Sequence, residues 1–131
     1  MDRHARILFS IAAAFNFFAA MPFLVAPQQF ARLIGMQPVP TDLAFPHLVA
    51  VLVLAFGWGY WRISRDPVAN RPLIHLGIVG KSLVVLSVWL DWLAGNTNWP
   101  LALIVGGDAV FVVLFVDYLR RHPVAGGASA R

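Results

Sequence analysis

The chain has 131 residues, of which 60% are hydrophobic and only 12% are charged, and its mean hydropathy is +0.73. This composition excludes an ordinary soluble domain and a disordered segment, and the length allows one compact bundle. The absence of cysteine excludes disulfides, thiol redox chemistry and cysteine-ligated metals. The net charge of +4 comes from basic residues dispersed over several segments, so we expect no nucleic-acid binding.

Four apolar stretches are long enough to cross a bilayer as helices, because a spanning helix needs ~17–25 residues. We predict these spans at about residues 7–26, 44–61, 73–94 and 99–119. A cleaved signal peptide is the alternative for the first span, but Phe17 and Phe18 place bulky side chains where a cleavage site needs small ones. The sequence therefore predicts a single all-α domain over residues 1–121, an integral membrane four-helix bundle.

The longest connection, residues 27–42, contains a second helical pattern. Phe30, Leu33 and Ile34 fall at helical spacing, and Gly35 is placed to end the helix. We predict a short amphipathic helix that lies on the outer membrane surface, and an ordered loop without a helix is the alternative. Residues 122–131 are expected to form a disordered cytoplasmic tail.

The distribution of basic residues predicts the orientation of the spans. Arg32 is the only basic residue on one side, whereas the other side carries Arg3, Arg6, Arg62, Arg65, Arg71, Arg120, Arg121 and Arg131. Because positively charged loops stay in the cytoplasm, both termini and the second loop are predicted to be cytoplasmic.

Three polar side chains fall inside the predicted spans. Counted from the nearest basic residue at the cytoplasmic end at ~1.5 Å per residue, Lys81 and Asn16 lie roughly 15 Å deep and Asp108 lies roughly 18 Å deep. A lone charge at this depth costs at least ~2.5–3.5 kcal/mol, so we predict that Lys81 and Asp108 pair inside the bundle. The pair is either a structural link that fixes helix register or the polar floor of a ligand or proton-transfer site.

Other candidate residues give weaker signals. His47 is placed to line an outward-facing entrance, or else it is a solvated interfacial histidine. It lies at a different predicted depth from His75, which argues against a haem held by the two, and we expect no cofactor and no metal. Asp117 is predicted to form a helix-surface pair with Arg121. Four phenylalanines are predicted to face lipid, with an oligomer contact as the alternative: Phe15, Phe18, Phe111 and Phe115.

Short motifs are spread over nearly the whole chain: Asn16, Pro27, Gly35, Gly57-Trp58-Gly59-Tyr60, Asp66-Pro67, Arg71-Pro72, Gly77-Ile78-Val79-Gly80-Lys81, Trp99-Pro100 and Gly107-Asp108. Together they resemble small bacterial four-helix inner-membrane proteins of unknown function that are distantly DoxX-like. The resemblance implies a four-helix bundle in which Asn16, Tyr60, Lys81 and Asp108 are shared positions. In relatives we expect Asn-Asp where this chain has Gly107-Asp108. The resemblance implies no activity.

Two kinds of function fit these observations. The first is a non-enzymatic subunit of a membrane complex or a binder of a small apolar ligand such as a lipid, quinone or isoprenoid. The second is a membrane enzyme or proton-coupled carrier in which Asp108 accepts a proton, Lys81 holds its charge and Asn16 orients the substrate. Four short helices leave little room for alternating access, so a carrier would need an oligomer. The expected partners are membrane lipid and either a larger membrane complex or further copies of the chain.

Overall fold

The computed structural model describes residues 2–125 of the protein. This part of the chain is helical, without strands, and its five helices are α1 (Arg3–Val25), α2 (Pro27–Leu33), α3 (Ala44–Arg65), α4 (Arg71–Leu93) and α5 (Trp99–Arg121). By length and composition, α1, α3, α4 and α5 are each able to cross a membrane. The predicted all-helical architecture, with four helices long and apolar enough to span a membrane, is confirmed, and α3 runs past its predicted end to Arg65. The tail predicted at 122–131 lies mostly outside the described residues.

The helix ends follow from local sequence. The Asp2 side chain caps α1 by accepting hydrogen bonds from the backbone N–H groups of His4 and Ala5 at 3.0 and 3.4 Å. Proline occupies the first turn of both α4 and α5, where its missing N–H has no intrahelical partner to lose. Gly95 follows α4 with a φ of +79°, a left-handed conformation that glycine adopts without steric cost.

The predicted helix in the first connection is present as α2. It begins at Pro27, directly after the single residue Ala26 that separates it from α1. Gly35 has a φ of +73° and closes the turn that follows the helix. Gly35 therefore ends α2, as the sequence predicts.

The helices pack as two pairs. α1 lies along α3, α4 lies along α5, and contacts between α3 and α4 join the pairs. Aromatic rings close the bundle between α1 and α5, since the Phe9 ring centroid lies 4.8 Å from that of Phe115 and 5.5 Å from that of Tyr118. The main hydrophobic cluster thus sits in the half of the bundle that holds the start of α1 and the end of α5.

The prediction that the phenylalanines face lipid is wrong for three of the four. Phe115 and Phe111 are buried, Phe15 is half-buried against the core, and only Phe18 is largely exposed, at 80%. The reason is helical periodicity: Phe111 and Phe115 lie about one and two turns beyond Asp108 on the same face of α5. The face that buries the carboxylate therefore buries these rings as well.

Two glycines allow helices to approach closely around this core. A Cβ atom on Gly77 would lie 2.7 Å from Cε1 of the Tyr60 ring, and one on Gly107 would lie 2.8 Å from Cζ of Phe15. Neither aromatic ring has room to move freely, because Tyr60 is buried and Phe15 packs against the core. A side chain at either position would push two helices apart.

We expect Gly77→Ala to lower the free energy of unfolding by about 1–3 kcal/mol, because the added methyl group overpacks the contact with Tyr60. Gly106→Ala is the matched control, since a Cβ there meets nothing within 4 Å. It should be neutral or stabilising by up to about 1 kcal/mol, because alanine costs less backbone entropy in a helix. Reversible unfolding in mixed detergent micelles measures both, and equal effects at the two positions would contradict the proposed close contact.

Candidate functional site

The Lys81 ammonium group lies inside the bundle and is held by side chains from two other helices. Lys81, on α4, is only 4% exposed. Its Nζ donates a hydrogen bond to Oδ1 of Asn16 on α1 at 3.0 Å. It also donates to Oδ1 of Asp108 on α5 in a salt bridge. The predicted pair is present, and Asn16 joins it.

Three aromatic rings surround the same nitrogen. Nζ of Lys81 lies 5.0 Å from the ring centroid of Tyr60, 5.3 Å from that of Phe111 and 5.5 Å from that of Phe15. The negative face of an aromatic ring attracts a cation, by ~2 kcal/mol or more where water is excluded. The rings therefore replace part of the hydration that the ammonium loses on burial.

Sequence reasoning missed the roles of Phe15 and Phe111 in this aromatic cage. The position of Phe111 carries a signal, because it lies about one turn beyond Asp108 and so points toward the same interior. Phe15 carries no such signal, because adjacent residues of a helix do not share a face. Tyr60 was expected only from the resemblance.

Asn16 uses both ends of its amide. While Oδ1 accepts from Lys81, Nδ2 donates to the backbone carbonyl of Val53 on α3 at 3.1 Å. The two bonds fix which end of the amide is oxygen, since only the oxygen accepts a hydrogen bond from an ammonium group. Asn16 therefore links α1, α3 and α4 at one level of the bundle.

Two polar groups beside Lys81 are incompletely paired. Asp108 uses Oδ1 for Lys81, and its Oδ2 makes no hydrogen bond within the described part of the chain. Its side chain keeps 16% of its surface exposed. The Tyr60 hydroxyl is buried and likewise has no hydrogen-bond partner among the described residues. The ammonium group is thus enclosed, whereas one carboxylate oxygen and the Tyr60 hydroxyl lack hydrogen-bond partners among the described residues.

His47 makes none of the contacts of this cluster. It lies in the first turn of α3, roughly 20 Å along the helix from Tyr60 at ~1.5 Å per residue. The structure therefore brings four of the five predicted site residues together and leaves His47 apart. The predicted pair of Asp117 and Arg121 is confirmed, with Oδ2 and Nε 2.9 Å apart on an exposed helix surface.

Comparisons with models of protein families, with curated proteins and with solved structures found no match. The resemblance to DoxX-like proteins therefore stays a prediction. Among the described residues, no three histidine or carboxylate side chains group as metal ligands.

Asp108→Asn should lower the free energy of unfolding by about 3–5 kcal/mol, because it leaves a buried ammonium without its counter-charge. Asp117→Asn is the matched control, since it breaks an exposed pair and should cost less than about 1 kcal/mol. The exchange of charges, Lys81→Asp with Asp108→Lys, should recover part of the loss.

Unfolding in mixed detergent micelles measures the three variants against the wild-type protein. Similar stabilities of Asp108→Asn and Asp117→Asn would show that the buried pair contributes nothing specific. An exchange variant no more stable than Asp108→Asn would argue against a direct interaction between the two charges.

Proposed function

We propose that the chain is a non-enzymatic integral membrane protein of the bacterial inner membrane that acts as a small subunit of a membrane complex. In this proposal the Lys81 cluster holds the helices in one arrangement. The observation that supports it is the enclosure of the ammonium group by Asn16, Asp108 and three aromatic rings, with Lys81 only 4% exposed.

The enclosure of the ammonium group argues against the alternative that the chain binds a small apolar ligand at this cluster. An ammonium group has three N–H donors, two of which are used by Asn16 and Asp108. A lipid, quinone or isoprenoid headgroup would have to displace one of these partners or one of the rings. Displacement of Asn16 or Asp108 would unpair a buried polar group, at a cost of about 1–3 kcal/mol or more, and displacement of a ring would remove a cation–π contact. We therefore favour the structural role for this cluster.

The proposal includes the orientation of the chain. Arg71 at the start of α4 donates from Nη1 to the backbone carbonyl of His122 just after α5, at 2.7 Å. The last turn of α3 carries Arg62 and Arg65, and the last turn of α5 carries Arg120 and Arg121. Since cytoplasmic ends carry the positive charge, we place both termini in the cytoplasm. We place α2 on the outer surface, with the exposed Leu33 toward lipid.

A second candidate is a proton-coupled function centred on Asp108, and the incomplete pairing beside Lys81 favours it. A carboxylate with a free oxygen and some exposure is able to accept a proton. Protonation would remove the charge that faces Lys81 and loosen the contact between α4 and α5. The Tyr60 hydroxyl is the other polar group beside Lys81 that has no hydrogen-bond partner among the described residues.

The two candidates are separated by a charge-free variant, Lys81→Met with Asp108→Leu. Because apolar side chains of similar size replace a buried ion pair at little cost, this variant should fold, and its main loss should be about 1–3 kcal/mol for the buried Asn16 oxygen that no longer has a donor. If the cluster is structural, mild-detergent purification followed by mass spectrometry should recover the same partner proteins with both forms.

Proteoliposomes with an internal pH-sensitive dye provide the opposing measurement. The structural proposal predicts no proton flux above empty vesicles for the wild-type protein. A flux that Asp108→Asn abolishes and Asp117→Asn leaves intact would establish the proton-coupled function instead. A stoichiometric quinone or isoprenoid in the purified protein would establish the ligand binder.

A further inference from the structure

One face of α4 points away from the bundle and is lined by large aliphatic side chains. These six residues are 53–78% exposed: Leu76, Val79, Leu83, Leu86, Leu90 and Leu93. They alternate at intervals of three and four residues, which is the spacing of the a and d positions of a heptad. The buried residues Gly77, Lys81 and Val85 lie on the opposite face. We call the six exposed residues the leucine seam.

Spacing alone does not identify an interface. α1 exposes a comparable series, Ile7, Ile11, Ala14, Phe18, Met21 and Val25. Lipid tails are as apolar as leucine, so a membrane satisfies either face without any protein partner. A second feature of α4 is needed to distinguish the two.

That feature is a pair of serines on the flanks of the leucine seam. Ser82 and Ser87 are exposed, and neither hydroxyl forms a hydrogen bond within the described part of the chain. Ser64 on α3 shows the usual alternative, since its hydroxyl donates to the carbonyl of Trp61 at 2.6 Å. An unpaired hydroxyl in hydrocarbon is costly, so a hydroxyl partner on a second helix would stabilise either serine.

Depth separates Ser82 from a third exposed serine. Ser10 on α1 lies ~6 Å from Arg6 along the helix, within reach of interfacial water. Ser82 lies roughly 16 Å from Arg71 and roughly 14 Å from the exposed Asp91 at the other end of α4, near the middle of a hydrocarbon layer ~30 Å thick. Ser87 lies ~6 Å from Asp91 by the same rise, closer to the outer interface.

The two serines have the register of a parallel helix pair. With the leucine seam at a and d, Ser82 takes position g and Ser87 takes position e of the next heptad. In two parallel helices packed through a and d, a g residue faces the e residue five positions later on the other helix. Ser82 of one copy would therefore face Ser87 of a second copy, and two-fold symmetry repeats the contact.

We infer that α4 is a homodimer interface, in which two copies of the chain pack in parallel through the leucine seam and through two reciprocal Ser82–Ser87 hydrogen bonds. A second copy is the occupant because copies inserted with one topology present α4 in the same direction, and the serine spacing is self-complementary in that direction. The inference goes beyond the proposed function and rests only on its membrane placement.

The absence of cysteine makes cross-linking a direct test. Leu83→Cys, Leu86→Cys and Leu90→Cys place single thiols on the leucine seam, near the two-fold axis. The controls are Val84→Cys, on the same helix beside the seam and 47% exposed, and Ile11→Cys, on α1 and 56% exposed. Mild oxidation of the full chain in vesicles at low protein density should give at least about 5-fold more disulfide-linked dimer from the seam positions, because a disulfide needs closely spaced Cα atoms.

The hydrogen bonds have their own test. Ser82→Ala with Ser87→Ala should weaken self-association about 5- to 10-fold, measured by energy transfer between labelled copies in vesicles. Ser10→Ala is the control and should leave self-association unchanged.

A monomeric protein, cross-linking as strong at Val84→Cys or Ile11→Cys as at the seam, or linkage of the seam to a different protein would overturn the inference. If the double serine variant self-associates as strongly as the wild-type protein, the Ser82–Ser87 hydrogen bonds do not form, and the inference is overturned as well. Flotation with vesicles after alkaline washing shows whether the chain is inserted in the membrane. An inserted chain that does not dimerise contradicts only this inference, whereas a chain that is not inserted contradicts the proposed function.

Discussion

The burial of the Lys81 charge constrains the whole bundle. A cation in the middle of an apolar layer is tolerated only where anionic and polar groups replace its lost hydration. Asp108 supplies the counter-charge, Asn16 supplies an amide oxygen, and the rings of Phe15, Tyr60 and Phe111 supply their negative faces. These groups come from every long helix besides α4 itself. The relative positions of the four spans are therefore tied to one nitrogen atom.

Such a cluster determines how the helices pack more than it raises the stability of the fold. A buried ion pair gains little over apolar side chains of the same size, because the desolvation of both charges offsets their attraction. Its geometry, however, admits few alternatives: a rotation of α1 would remove the Asn16 oxygen from Lys81 and the Asn16 amide from Val53 together. Gly77 adds a steric condition, since the Tyr60 ring fills the space that any other side chain would need. Polar and steric constraints thus favour the same packing.

The spans and the ion pair were predictable from the sequence because both depend on properties that add along the chain. Hydropathy identifies the helices, and a fixed rise per residue places Lys81, Asp108 and Asn16 at similar depths. The orientation of the phenylalanines was predicted wrongly for three of the four, because an aromatic ring is stable in lipid and in a protein core alike. Only its register with a polar neighbour, as for Phe111 with Asp108, decides between the two. The Asn16–Val53 bond was out of reach, since a backbone carbonyl leaves no signal in the side-chain pattern.

Contacts on the two faces of α4 both constrain the rotation of this helix about its axis. The inner face carries Gly77 and Lys81, whose positions are fixed by close contact with Tyr60 and by the ion pair with Asp108. The outer face carries a continuous row of branched aliphatic side chains, flanked by two serines that have no hydrogen-bond partner among the described residues. A helix is only ~10–12 Å across with its side chains, so a partner seated on the outer face would lie within one helix diameter of the buried charge. Any rotation of α4 that improved packing on one face would displace Lys81 on the other. The proposed association through this helix would therefore be mechanically coupled to the integrity of the polar cluster, whichever role the cluster serves.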